Sequence, residues 1–216
     1  MPSLEAHQYG LALHTTSSQL GLAISNFEGD TRFSTWDLGR DLSSHLHQYM
    51  AEFIAPQTWL DLSFIAVAKG PGSFTSTRIG LVTARTMAQQ LDIPLFAIST
   101  LAAVAWSYLS NQGGDSEKTV LALQMPAQRG QLFTAIYQVS PVISLTQLSP
   151  DAVMTPETWQ QMLDTLKMPY QLSDVPVALG DSVSSLLELA ELDWQLEKRP
   201  HWSEALPFYG QHPVDK

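Results

Sequence analysis

The sequence predicts an α/β fold in two lobes, with sheets flanked by helices. Three observations carry this. Strand-length apolar runs come first and then alternate with helical-period segments, in the order β-β-β-α-β-α-β-α across the first half. A polar, glycine-rich stretch, residues 111–118 (NQGGDSEK), interrupts that pattern. Beyond it, strand and helix signals resume more weakly. The expected division is therefore an N-terminal lobe of residues 1–110 and a smaller C-terminal lobe of residues 111–216.

Residues 9–16 and 20–27 are short β-rich runs parted by Ser17, Ser18 and Gln19. Asn26 to Asp30 (NFEGD), with Gly29, reads as a hairpin turn into a strand at 31–38. Together they predict a three-stranded antiparallel meander. A helix follows at about 41–54, because Leu42, Leu46, Tyr49, Met50 and Phe53 share one helical face; Pro56 stops it. Residues 64–68 form an apolar run of buried-strand length that ends in Lys69-Gly70-Pro71-Gly72. A helix fits 74–91, a strand 95–98, and Ser99 or Thr100 caps a third helix running to about 109. In the second half, strands are expected at 120–125, 132–139, 142–148 and 176–179, and helices at 156–166 and 182–189. The tail from Arg199, with its Pro, Trp and His residues, reads as irregular.

Composition removes several function classes. Hydrophobic residues make up 44% of the 216 residues and charged residues 15%, which excludes a disordered chain. The absence of cysteine excludes disulfide scaffolds, zinc ribbons, thiol catalysis and iron–sulfur ligation. Eleven basic against twenty-one acidic residues give a net charge of −10, which repels a phosphate backbone. Residues 1–11 lack a basic region and a long apolar one, so no signal peptide is read. Residues 93–109 are interrupted by Pro94, Ser99, Thr100 and Ser107, too often to span a membrane. A cytoplasmic protein with no membrane contact is expected.

The chemistry-bearing segment is Lys69 to Gly80, KGPGSFTSTRIG. Gly70 and Gly72 flank Pro71 directly after a strand, and Ser73 and Thr75 stand before a helix. Two readings fit. One is a phosphate or nucleotide contact at Gly70, Gly72, Ser73 and Thr75, because free N–H groups at such a turn favour anions. The other is a well-capped strand-to-helix turn. The spacing is neither that of a Walker A loop nor that of a dinucleotide fingerprint, and no GxSxG nucleophile elbow occurs. His45 and His47 form an HxH pair that a helix would point to different faces; His7, His201 and His212 have no partners at ligand spacing, so no metal site is expected. Asp61, Asp92, Asp181 and Asp193 are not paired for acid–base work. On the second helix Gly80, Ala84 and Ala88 recur every four residues and make a smooth stripe, while Ile79, Val82 and Met87 point elsewhere. Such a helix is either buried in its own core or meets a partner.

Taken whole, GPGSFTSTRIG resembles the GPGSFTGLRIG signature of the TsaB family, called YeaZ in older usage, with Ser76 and Thr77 replacing the usual Gly-Leu. LALHTTS (11–17) is similar to the family's opening LAIDTS, LDIPLFAISTL (91–101) to LDIPVVGVSTL, QRGQLFTAIY (128–137) to a segment ending in GEVYWALY, and ALPFY (205–209) to PxYLR. The resemblance implies an actin-like, ribonuclease-H-like fold with two lobes of mixed sheet. It implies a non-catalytic subunit that binds TsaD and supports N6-threonylcarbamoylation of adenosine 37 in ANN-decoding tRNAs. TsaE would be a further partner, the chain alone would be a homodimer, and tRNA would be contacted only indirectly. The implied partner interface comprises His45, Arg78, Gly80, Ala84, Met87 and Ala88. No cofactor is expected on the chain alone, with ATP or ADP admitted at the complex interface. His14 stands where the family usually has an Asp, and Met125-Pro126-Ala127-Gln128 replaces its DAR segment; both point away from ATP hydrolysis, since Mg²⁺ prefers carboxylate oxygen. Gly180-Asp181-Ser182 resembles the family's second-lobe Gly-Asp turn, or is a helix cap by Asp181 or Ser182. The alternative is an active actin-fold small-molecule kinase or peptidase.

Overall fold

The computed structural model describes residues 7–111, 119–140 and 144–210. Its first sheet contains β1 (Tyr9–His14), β2 (Gln19–Ser25), β3 (Thr31–Asp37), β4 (Leu62–Ala68) and β5 (Leu95–Ile98), in the order β3-β2-β1-β4-β5. The three N-terminal strands form the antiparallel meander, and β1, β4 and β5 run parallel. The β2–β3 hairpin closes as expected, with Asn26 Oδ1 accepting the amides of Glu28 and Asp30 at 2.9 and 3.0 Å.

Alternation along β1 decides which helices cover which face. Tyr9, Leu11 and Leu13 point to a core under α1 (Leu42–Ile54) and α2 (Phe74–Leu91). Ala12 points the other way, with Ala23, Ala66 and Ala68, where α5 (Val183–Gln195) packs through Val183, Leu186, Leu187 and Ala190. Arg32 closes the end of α1: its guanidinium donates to the carbonyls of Phe53, Ile54 and Ala55 at 2.9–3.1 Å.

The second sheet contains β6 (Thr119–Pro126), β7 (Leu132–Ser140), β8 (Ser144–Met154) and β9 (Gln171–Asp174), in the order β8-β7-β6-β9. Helix α4 (Pro156–Thr165) covers one face through Trp159 and Leu163. The other face meets α3 (Thr100–Asn111) through Leu101, Ala102, Val104 and Ala105. The two halves thus exchange helices: α3 comes from the first half but packs on the second sheet, and α5 does the reverse. The split at residues 110 and 111 describes the sheets and not the helices. Of the stretch expected as connector, residues 111–118, Asn111 is the last residue of α3 and residues 112–118 lie outside the described residues.

Three elements differ from the sequence reading. The last strand is Gln171–Asp174, where residues 176–179 were expected, because pairing with β6 selects a polar edge segment. The expected strand at 142–148 extends to Met154, passing through Pro150, which removes no ladder donor on an edge strand. Helix α5 runs to Gln195, well past 189, because its apolar face continues along the first sheet through Ala190.

Candidate functional site

A cleft of about 960 Å³ opens between the two sheets. One wall is the β1–β2 turn (Thr16, Ser17, Ser18), Arg40, and the first turn of α2 from Ser73 to Ser76. The other is Met125 to Gln128, Phe133 and the segment from Val175 to Val177. Ser73 starts α2: its Oγ accepts from the Ser76 amide at 3.5 Å, a long cap, and its own amide donates to the Thr16 carbonyl at 2.8 Å. That approach explains Gly72, where a Cβ would overlap the Thr16 carbonyl.

Of the four expected anion contacts, Gly72, Ser73 and Thr75 line the cleft. Gly70 does not. It is buried at φ +101°, and a Cβ there would overlap the Phe208 carbonyl, so this glycine serves close backbone packing.

His14 is wholly buried, with neither ring nitrogen hydrogen-bonded. Burial pushes its pKa down to about 3, so the ring is neutral at pH 7. It is not among the cleft-lining residues. Those residues supply hydroxyls, backbone amides and the Arg40 guanidinium but no carboxylate. They do not fit the magnesium–nucleotide group that an actin-like fold implies, because Mg²⁺ at such sites is held through one or two protein carboxylates besides the substrate phosphates, and the lining has none. Among the described residues no three His, Asp or Glu side chains gather as a metal site. Neither Asp181 nor Ser182 caps α5: Asp181 accepts from Thr35 at 3.3 Å, and Ser182 donates back to the Leu179 carbonyl at 2.8 Å.

The expected interface residues separate. Gly80, Ala84 and Ala88 lie inside the subunit, which corrects their assignment as a partner surface. Ala84 and Ala88 join the core under α2, and a Cβ on Gly80 would overlap Thr15 Oγ1. The smooth stripe serves the sheet, where α2 must come close to β1. Met87 is half-buried against the same core. Arg78 and His45 are exposed, and His45 Nδ1 lies 3.1 Å from the Asp41 carbonyl. Val82, not among the expected contacts, is 54% exposed on the outer face of α2.

Sequence reasoning missed a polar group behind the cleft. Asp151 of β8 and Tyr137 of β7 are joined at 3.2 Å, with Ser99 near both. Burial raises the pKa of both, while the Lys69 ammonium works against the rise at Asp151. A β-bulge around Ile136 brings the two strands into this register, and no local sequence signal announces it. Arg40, Ser43 and Tyr209 also line the cleft and were not among the expected contacts there, whereas Ser17 and Ser18 read as a turn and Met125 to Gln128 as the replacement of the DAR segment.

A family model described as "TsaD: tRNA N6-adenosine threonylcarbamoyltransferase" matches residues 40–174, more than half of the chain. The tRNA threonylcarbamoyladenosine biosynthesis protein TsaB of Bacillus subtilis (strain 168) is 40% identical over 110 residues, which is 51% of this chain and 44% of that protein. The chain belongs to this family, in its TsaB/YeaZ branch. TsaB of Buchnera aphidicola subsp. Schizaphis graminum is 24% identical over 153 residues, covering 70% of this chain and 68% of that one. The aligned part thus spans less than half of the Bacillus relative and about two thirds of the Buchnera one. The fold matches YeaZ from Pseudomonas aeruginosa with a TM-score of 0.76 at 22% identity, over 94% of this chain and 99% of that structure. The two lobes of mixed sheet flanked by helices that the TsaB/YeaZ signature implies are therefore the observed fold, shared with that YeaZ structure. No helix among the described residues is long and apolar enough to cross a membrane.

Proposed function

We propose that the chain is a non-catalytic subunit in the biosynthesis of threonylcarbamoyladenosine in tRNA, acting as a cytoplasmic partner of TsaD. The observation that carries this reading is the cleft. Its lining holds hydroxyls, the Gln128 amide and one guanidinium but no carboxylate or imidazole, the groups that most often serve as general base or anchor a metal for phosphoryl or acyl transfer. Chemistry and metal would then belong to TsaD.

The outer faces of α1 and α2 are the surface offered for association. There Arg78, His45 and the apolar Val82 are exposed, while the inner faces of both helices are spent on the first sheet. A helix whose core face is satisfied and whose outer face still carries exposed valine suits a helix-to-helix contact. The same face would serve a homodimer of the free chain. TsaE would join the larger complex, ATP or ADP would sit at its interface, and tRNA would be reached through the partner.

The test is co-purification with TsaD followed by tRNA modification with and without this chain. Modification should require it, and Val82→Asp should weaken association without lowering the melting temperature. ATP turnover by the chain alone would replace this reading with that of an actin-fold kinase.

A further inference from the structure

We propose that residues 205–210 form a clasp that sets the opening of the cleft, tying the Lys69–Gly70 turn and the start of α2 to strands β7 and β8. This does not rest on the proposed function. The segment is anchored at Ala205, which is buried in the core beneath α2. It then crosses the turn: the Phe208 amide donates to the Lys69 carbonyl at 2.7 Å, and the Phe208 carbonyl occupies the space a Cβ would need at Gly70. The Phe208 ring meets Phe133 of β7 edge-on, with centroids 6.4 Å apart. The Tyr209 ring lies on Phe74, the first residue of α2, at 4.3 Å. Gly210, at φ +62°, fits against Val153 of β8 and Phe133, and a Cβ there would collide with Val153. Ala205, Phe208, Tyr209 and Gly210 thus join parts of both halves, and Tyr209, Phe74 and Phe133 all line the cleft.

The rest of the architecture gives the clasp something to hold. Helices α3 and α5 pack on each other between the sheets, each serving the sheet of the other half. A helix pair of this kind permits rotation of one layer on the other, as in hinge and shear closure. The clasp adds contacts between the two halves other than those of that helix pair.

The chain has no cysteine, so paired labels report the cleft without background. Thr75→Cys and Val177→Cys stand on opposite walls, and both side chains are exposed. Spin labels on the pair should give one narrow distance distribution by pulsed electron resonance. In that background Phe208→Ala and Tyr209→Ala should each broaden it toward longer separations. Leu206→Ala, in the same segment but 64% exposed, should leave it unchanged. If Phe208→Ala does not fold, Tyr209→Ala decides alone, since it removes one ring at the cleft rim. An unchanged distribution in the ring variants overturns the clasp, as does equal broadening by Leu206→Ala or a broad distribution in the intact segment.

Discussion

Replacing His14 by leucine should remove a defined part of the protein's sensitivity to acid. The imidazole is fully buried, both ring nitrogens lack partners, and its pKa falls from 6.5 to about 3 because burial penalises the charged form. The unfolded chain binds a proton near pH 6.5 and the folded one does not. The stability tied to this group is therefore fully present above pH 6.5 and is lost as the pH falls toward 3. Between pH 7 and pH 5 linkage with these two values gives a loss of about 2 kcal/mol. For a chain of this length that is a fall in melting temperature of roughly 4–8 °C. Asp151 and Glu191, both raised by burial, act in the opposite direction, since acid relieves them. They are common to both proteins, so the difference between wild type and His14→Leu isolates the imidazole. Leucine is of similar size and leaves no buried polar atom unpaired, so at pH 7 the variant should be about as stable as wild type or somewhat more so. Urea unfolding followed by tryptophan fluorescence at pH 7, 6 and 5 measures the difference. Two curves that fall in parallel would refute the reasoning and mean that His14 is hydrated or paired in solution.

Ala84→Leu should destabilise the subunit by about 1–3 kcal/mol through overpacking against the first sheet, and a wild-type thermal melt would return the stripe to the surface. Gly80→Ala should act in the same direction, displacing Thr15 from the Ser76 carbonyl it donates to at 2.9 Å; circular dichroism melting checks it. Arg32→Ala should cost about 1.5–3 kcal/mol, because carbonyls at the end of α1 lose a charged donor, and Arg32→Met, which restores an apolar stem but not the guanidinium that donates to them and lies 5.4 Å from the Phe53 ring centre, should not restore it in urea titrations. With a net charge of −10 the chain alone should bind tRNA weakly at physiological salt, and tight, salt-sensitive binding in a mobility-shift assay would contradict this.

Local order was legible in the residues. The face of Leu42, Leu46, Met50 and Phe53 located α1 to within a residue, and the hairpin at Asn26 and the turn at Gly70–Gly72 announced themselves through residue types with specific backbone uses. The small-residue period at Gly80, Ala84 and Ala88 established that something approaches α2 closely. What approaches was decided by the sheet, because β1 and β4 take that face before any partner can. His14 reads as one polar letter at the end of an apolar strand. Its burial follows from strand alternation and from α5, whose residues lie more than a hundred positions away yet cover that face. The apolar segment after Asp174 has strand composition, but the parallel ladder to β6 uses residues 171–174 and leaves Val177 on the cleft wall. Capping, turns and periodicity act over a few residues and are written where they act. Which surface a face meets depends on where distant segments return, and that only the tertiary structure decides.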